Sequence, residues 1–419
     1  MTMTLWTKTR PARSVARILA VAAMAVLGLA GAIAQDAFKP ATHGGLIPQT
    51  HIFTVTNLKS SGAGSFRAAL AEPSPKVILF EVGGIIGLDE DLSVDKPFTT
   101  IAGESAPGPG IVLVGGGLRI RSHDIVVRHI GIRPGSSSDP SVNESRDGLS
   151  IGGNPERYGA AIRNILIENV SVSWGVDENV SVWDEHTGNV QLRSMFIAEG
   201  LRNGGHPKGS HSMGMLVGSD IDLVTITDSL FANNNDRHPR VSPGAQVSAE
   251  RNVVYNPGNE ATQVFVDCTR GQLPMSFIDN VLIPGPETRR NLELYDFQSE
   301  ERKPIQFGDP SCSTAWHTVT LSLADKARAA AIFGAVLTHA GSRPVDRDPV
   351  DLRILAELNS NTGSQKDQGE TFSLPSSGQR IFEMPEDPDA MAANGATALA
   401  NALCAAHLAL GGLAYEGCV

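Results

Sequence analysis

The chain has 419 residues, of which 41% are apolar and 19% are charged, with 34 Lys and Arg against 45 Asp and Glu. This composition excludes a disordered, collagenous or multi-span membrane protein, and the net charge of −11 excludes a protein that binds nucleic acid through its charge. Glycine is abundant, at 43 residues, and aromatic residues make up only 5%. We therefore expect many turns and an aliphatic core.

The N-terminal segment has the organisation of a secretory signal peptide. Basic residues between Lys8 and Arg17 precede an apolar run that begins at Ile18 and ends on small residues at Ala34. An uncleaved membrane anchor is the alternative, but the run is short for a span and closes on small residues. We predict that residues 1–34 are cleaved, that the protein is secreted or periplasmic, and that it has no membrane partner after cleavage.

An apolar pattern recurs from about residue 50 to residue 285. Copies begin at Ile125, Ile165, Val190, Val224, Val247 and Met275, and the shortest step between them is 23 residues. Within each copy, apolar and often β-branched residues alternate with polar ones, as in a strand with one buried face. The repeat predicts an all-β solenoid, a single-stranded parallel β-helix, over residues 35–290.

The repeat weakens beyond residue 290, where two Ala-rich helices are predicted at 324–337 and 390–408. We divide this part into a C-terminal extension that packs on the solenoid, residues 291–365, and a polar linker with an Ala-rich tail, residues 366–419. The sequence leaves open whether this helical or irregular tail caps an end of the solenoid or wraps its side.

Four cysteines follow the predicted leader, so two disulfides are expected in an oxidising compartment. Because Cys404 and Cys418 are close together near the C-terminus, we predict that they pair, which leaves Cys268 with Cys312. The spacings do not suggest zinc, and spacing alone does not distinguish the three possible connectivities.

Asn252 and Asn280 occupy equivalent places in two successive copies of the repeat. Stacked asparagines at a corner of the solenoid could hydrogen-bond along its axis and satisfy backbone groups in the turns. The alternative is that they are two unrelated turn residues.

Several ordered motifs carry a resemblance to a known family. They are TVTNL at 54–58, GAGSFRAA at 62–69, IAGESAPGPG at 101–110, SWGVDE at 173–178 and NNDRHPR at 234–240. Together they resemble bacterial pectate lyases of polysaccharide lyase family 1, and the similarity extends over most of the chain after the leader. The resemblance implies a right-handed parallel β-helix that binds Ca²⁺ and cleaves polygalacturonate by β-elimination. We accordingly expect an acidic polysaccharide as substrate and a monomeric enzyme.

Asp147, Asp177 and Glu178 are the candidate calcium ligands. Removal of the C5 proton of a uronate adds negative charge beside its carboxylate, and a hard cation shared with protein carboxylates would neutralise that charge. Acids in turns more often cap backbone amides, which is the reading that spacing alone would favour. With the family motifs around them, we assign these three residues to the metal.

Arg237 is the base that the resemblance implies, as the first arginine of an Arg-x-Pro-Arg motif. Guanidinium is normally protonated, so the role requires neighbouring cations, the metal or exclusion of water to lower its proton affinity. The alternative is that Arg237 pairs with the substrate carboxylate or with Asp236 and transfers no proton.

Lys208 and Arg240 are the candidate substrate-binding residues, because both offer a positive charge to a uronate carboxylate. The sequence departs from the family pattern nearby. Met213 stands where many members carry a lysine, which Lys208 would replace from the adjoining loop. Ser181 and Ser242 stand where better-known members have an acidic residue and a further arginine.

Trp174 either stacks on a sugar ring or fills a gap in the core, and the second is commoner for a tryptophan that follows a strand. His206, His211 and His238 show no metal-ligand spacing on a common element. We predict that these histidines are loop or polar-site residues.

Two other functions are compatible with a β-helix. A polygalacturonase-type hydrolase requires paired carboxylates around the scissile bond, and the Asn-Thr-Asp and Asp-Asp motifs of that family are absent from the sequence. A non-catalytic glycan-binding or surface protein would retain the solenoid without the reaction, because fold does not fix function.

Overall fold

The structure is a computed structural model that describes residues 38–269, 273–374 and 380–418. The predicted signal peptide, residues 1–34, lies outside these residues. In the part of the chain that is described, no helix has the length and apolar character needed to cross a membrane.

Short parallel strands stack into a parallel β-helix with three faces, which confirms the predicted fold class. The first face contains His51–Val55, Lys76–Phe80, Thr99–Ala102, Ile125–Arg128, Arg163–Glu168, Gly188–Arg193, Asp222–Thr227, Val247–Glu250, Met275–Ile283 and Val319–Leu323. The second contains Gly84–Gly87, Ile111–Val114, Ile130–Arg133, Ser171–Ser173, Phe196–Ala198, Leu230–Ala232, Val253–Tyr255 and the end of Met275–Ile283. The third, called the site face below, contains Leu92–Val94, Leu118–Ile120, Leu149–Ile151, Glu178–Val182, Met213–Val217, Arg240–Val241, Thr262–Val266 and Tyr295–Ser299.

Side chains on the site face alternate between the core and the outside, as expected for strands. Leu149 and Val180 are paired neighbours that point into the apolar core. The next position on each strand forms an outward row of Ser93, Arg119, Ser150, Ser181, Leu216, Arg240, Gln263 and Asp296. The alternation seen in the sequence therefore produces an apolar interior and a mostly polar outer row.

A single residue turns the chain from the first face to the second in successive coils. His129, Asn169 and Ser194 each adopt a left-handed backbone conformation at this corner, with φ of 54°, 51° and 53°. Further along, the Asn280 side chain accepts a hydrogen bond from the Asn252 amide at 2.9 Å. Asn252 and Asn280 are thus stacked at a corner and hydrogen-bond along the axis, as one of our two interpretations predicted.

The helices are Phe66–Ala71, Pro140–Asn143, Pro155–Tyr158, Ser313–Trp316, Lys326–His339, Pro349–Ser360 and Ala398–Ala409, with 3₁₀ turns at Gly103–Ser105 and Pro310–Cys312. The first predicted Ala-rich helix is confirmed with a shift of two residues. The second begins at Ala398 and not at residue 390, because the Thr397 side chain caps it by accepting a hydrogen bond from the Ala400 amide.

The three longest helices wrap the sides of the solenoid. Lys326–His339 and Pro349–Ser360 pack through apolar side chains on the second face. Ala398–Ala409 packs on the first face against Val77, Leu79 and Ala102. None of these three helices packs on the site face, and most of its outer row is partly exposed, although Ser150 and Ser181 are buried.

Two strands beyond residue 290, Tyr295–Ser299 and Val319–Leu323, pair onto the stack. Our division of the chain at that residue stays a prediction. Both predicted disulfides are confirmed, since Cys268 is bonded to Cys312 and Cys404 to Cys418.

Candidate functional site

Three carboxylates meet on the site face. Asp147 lies two residues before strand Leu149–Ile151, and Glu178 begins the next strand of the stack. Because Leu149 is paired with Val180, the same register places Asp147 beside Glu178. One carboxylate oxygen from each of Asp147, Asp177 and Glu178 lies within 4.8 Å of the others. The structure thus brings together all three residues proposed from the sequence as metal ligands.

Asp147 is fixed by hydrogen bonds and is crowded by negative charge. Its Oδ1 accepts a hydrogen bond from the Glu178 amide at 3.1 Å, and its Oδ2 accepts one from the Ser181 hydroxyl. Burial raises the pKa of Asp147 to about 7, the Ser181 hydrogen bond opposes this, and the charge of Asp177 adds to it. A divalent cation would relieve this crowding, and three nearby carboxylates offer the oxygen donors that Ca²⁺ prefers.

Arg237 lies beside this group. It has a left-handed backbone conformation with φ of 66°, and its guanidinium contacts the Glu178 carboxylate. The ion pair with Asp236 that the sequence left open is therefore replaced by one with Glu178. Burial lowers the pKa of Arg237 to about 10, and the positive charge of Arg240 acts in the same direction.

Arg240 lies on the outward row, with its guanidinium 4.7 Å from the centre of the Phe265 ring. Its buried Nε finds no hydrogen-bond partner within the described residues. Lys208 lies in an exposed part of the loop before Met213–Val217. Met213 itself is paired with Glu178, so the methionine that departs from the family pattern directly adjoins the carboxylates.

His206 and His211 come together over Asp177, which the sequence did not predict. Their rings stack with centroids 3.6 Å apart, and their Nε2 atoms lie 3.4 Å and 3.6 Å from Asp177 Oδ1. Burial, followed by the His206 ring, lowers the pKa of His211. As predicted, both histidines lie in a loop at a polar site, but their convergence on Asp177 was not foreseen. The missed signal is that their loop leads into strand Met213–Val217. That strand pairs with strand Glu178–Val182, which begins directly after Asp177.

His238 fits the interpretation as a polar-site residue. It is buried, and its Nδ1 lies 3.1 Å from the Glu260 carbonyl oxygen. Burial lowers its pKa to about 4, so the ring is neutral at neutral pH.

Two tryptophans have different surroundings. Trp174 is buried, packs against Phe372 and donates a hydrogen bond from Nε1 to Glu199 at 3.1 Å, which confirms the core interpretation. Trp183 is 37% exposed at the end of strand Glu178–Val182. Its ring lies 5.3 Å from the guanidinium of Arg121. Sequence reasoning missed Trp183, although a tryptophan directly after a site-face strand could have indicated it.

An open cleft of about 490 Å³ continues along the site face beyond Asp147. Its cationic and aromatic lining residues are Arg119, Arg121, Arg146, Arg157 and Tyr158, and acidic residues of the segment 89–95 line the other side. The cleft therefore carries both charges, and Arg119 is paired with Asp91 at 2.6 Å.

No protein-family model matches the chain. It is similar to probable pectate lyase C of Aspergillus flavus, with 32% identity over 241 residues that cover 57% of this chain and 51% of the relative. It is also similar to probable pectate lyase C of Emericella nidulans, with 34% identity over 238 residues, 57% of this chain and 49% of the relative. The chain thus spans about half the length of the curated relatives it matches. These relatives are fungal, and the bacterial assignment in the resemblance is not confirmed.

Solved structures with a similar chain path include the cedar pollen allergen Jun a 1 and a pectate lyase bound to hexasaccharide. The first has a TM-score of 0.46 and 16% identity, covering 67% of this chain and 79% of the allergen. The second has a TM-score of 0.43 and 13% identity, covering 75% of this chain and 100% of the lyase.

Proposed function

We propose that this protein is a secreted polysaccharide lyase that cleaves pectate or a related uronate polymer by Ca²⁺-assisted β-elimination. The observation that carries the proposal is the meeting of three carboxylates with Arg237 on the one face that the long helices leave accessible. The similarity to probable pectate lyase C of two fungi supports the substrate class. The two disulfides support an oxidising, extracytoplasmic compartment.

Asp147, Asp177 and Glu178 would hold the calcium ion. Their oxygens lie close enough to share one cation, and the raised pKa of Asp147 reflects the crowding that a cation relieves. When bound, Ca²⁺ supplies a Lewis acid that neutralises the charge developing on the uronate carboxylate.

Arg237, in its neutral form, would take the C5 proton of the uronate. The C–H electron pair then forms the C4–C5 double bond, the C4–O bond breaks, and the departing sugar oxygen receives a proton from water. A pKa of about 10 makes the neutral form far more accessible than for an ordinary arginine. The contact with Glu178 must loosen for this step, which engagement of Glu178 by the metal would allow.

Arg240 and Lys208 would bind neighbouring uronate carboxylates. Arg240 is partly exposed on the outward row, where its guanidinium can form a charge-assisted hydrogen bond, and Lys208 offers a point charge from its exposed loop. Trp183 presents an exposed ring on which a sugar could stack.

The direct test is incubation with polygalacturonate, with added calcium or with a chelator, while ultraviolet absorbance of the unsaturated uronate product is followed. We expect absorbance to rise only with calcium. The Arg237→Lys variant is the matched control, since it keeps the positive charge.

A protein that binds the polymer without producing absorbance would be the non-catalytic glycan-binding protein that the sequence left as the alternative. Appearance of reducing ends without absorbance would indicate hydrolysis. Either result would overturn the lyase proposal.

A further inference from the structure

The two histidines over Asp177 form a group of ligand atoms that differs from the carboxylate group. Both rings belong to the loop that leads into strand Met213–Val217, and both are largely buried. Each offers Nε2 toward the same carboxylate oxygen, Asp177 Oδ1, at 3.4 Å and 3.6 Å. The three atoms lie within 4.8 Å of one another.

These separations suit a shared metal better than hydrogen bonds. A tetrahedral zinc with bonds of about 2.0–2.1 Å places its ligand atoms roughly 3.3–3.4 Å apart. By contrast, the 3.6 Å between His211 Nε2 and Asp177 Oδ1 is too long for a hydrogen bond. We propose that Asp177, His206 and His211 bind a first-row divalent transition-metal ion such as Zn²⁺ or Co²⁺, for which imidazole and carboxylate are suitable ligands.

The hydrogen bond of His211 determines which of its ring nitrogens is free to bind a metal. Its Nδ1 lies 3.1 Å from the Gly209 carbonyl oxygen, which can only accept, so Nδ1 holds the ring proton. Nε2 of the neutral ring then directs a lone pair at the Asp177 carboxylate, and either a proton on Nε2 or a cation between the two groups relieves their repulsion. An imidazole whose other nitrogen donates to a backbone carbonyl is the usual form of a metal-binding histidine.

His206 requires a small rearrangement. Its Nδ1 accepts a hydrogen bond from the Lys208 amide at 3.1 Å, and its Nε2 lies 3.2 Å from the Glu144 carbonyl oxygen. Binding a metal through Nε2 moves the ring proton to Nδ1 and displaces the Lys208 amide. Gly205 and Gly209, with φ of 86° and 96°, bound this segment and allow the backbone to adjust. One metal–nitrogen bond from His206 then replaces these two weaker contacts.

This site does not depend on the lyase reaction, although Asp177 belongs to both groups. Asp147 and Glu178 add only oxygen, which suits Ca²⁺, whereas the histidines add nitrogen, which suits transition metals and not Ca²⁺. The two groups should therefore respond separately to substitution, so failure of one proposal does not imply failure of the other.

The test is titration of the metal-free protein with Co²⁺ alone, followed by its visible absorption bands, which report nitrogen and oxygen ligands around the ion. We expect saturable binding of one Co²⁺ ion per chain, displaced by Zn²⁺. His211→Ala and His206→Ala should each weaken Co²⁺ binding at least tenfold. His186→Ala is the matched control, because His186 also contacts an aspartate, Asp184, but is 50% exposed and should leave Co²⁺ binding unchanged.

Calcium binding, measured by calorimetry on the same proteins, should be unchanged by both histidine substitutions and weakened by Asp177→Asn. Thermal unfolding establishes that each variant is folded. If His211→Ala does not fold, His211→Gln takes its place. Absence of saturable Co²⁺ binding, or equal affinity in wild type and the folded histidine variants, would overturn the proposal.

Discussion

Two carboxylates in this protein, the buried Glu168 and the partly buried Asp147, have opposite surroundings. Glu168, on the first face, is held by Arg128 at 2.8 Å and by Arg193 at 2.9 Å. Although burial acts to raise the pKa of Glu168, the nearby His407, Arg128 and Arg193 lower it. Asp147, on the site face, has other carboxylates as neighbours, and its pKa is raised to about 7, chiefly by burial.

The comparison separates charge that stabilises the fold from charge that is available for a ligand. Around Glu168 two arginines compensate one carboxylate under the packed tail. On the site face, Arg237 is the one arginine among the described residues that forms an ion pair with the group of three carboxylates, through Glu178. Uncompensated buried charge is costly, and a group that retains it is a candidate binding site. The predictions that follow change one side of this comparison at a time.

The largest effect is expected for Arg237→Lys. If Arg237 takes the C5 proton, turnover should fall by about 10²–10⁴-fold, as is typical for loss of a general base, while KM changes little. The rate of product absorbance at several polygalacturonate concentrations separates the two parameters. A raised KM with turnover largely preserved would mean that Arg237 only grips the substrate.

Glu168→Gln should destabilise the fold without changing the calcium requirement. The substitution removes the carboxylate shared by the buried Arg128 and Arg193, and breaking such a buried ion pair costs about 3–5 kcal/mol. Urea denaturation measures the free energy of unfolding. The control is Asp222→Asn, whose partner is the exposed Arg163, and it should change the free energy by less than about 0.5 kcal/mol. Equal effects would remove the distinction between the two ion pairs.

Asp177→Asn should raise the calcium concentration needed for half-maximal activity. Removal of even an outer partner of a metal site costs about 10–100-fold in affinity, so loss of a ligand charge should reach the upper part of that range. Calcium-dependence curves for the wild type, this variant and the control Asp184→Asn measure the shift. A wild-type rate that survives chelation of calcium would refute the metal role.

Turnover should also rise with pH by about tenfold per unit between pH 7 and pH 9. The pKa of Arg237 is lowered to about 10, so its neutral fraction grows tenfold per unit below that value. The rise should level off near pH 10, where the neutral form predominates. A pH–rate profile at saturating calcium and substrate measures this, and a flat profile over the range would contradict proton transfer to Arg237.

Local periodicity made much of the fold predictable from the sequence. The alternation of apolar residues identified the stacked strands, and the short separation of Cys404 and Cys418 favoured the pairing that is observed. Asp147, Asp177 and Glu178 were found because they enter neighbouring coils of the repeat, and the family motifs around them favoured the metal role. Residues at one position of successive coils must lie side by side, and this follows from the repeat itself.

Contacts made by loops between coils were decided only by the tertiary structure. Arg237 contacts Glu178 and not its sequence neighbour Asp236, because a coil-to-coil contact replaces a local one. His206 and His211 meet Asp177 because their loop folds back onto the preceding coil. The apolar period fixes which residues face the core, but it contains no information about loop path, so only the folded chain could bring these groups together.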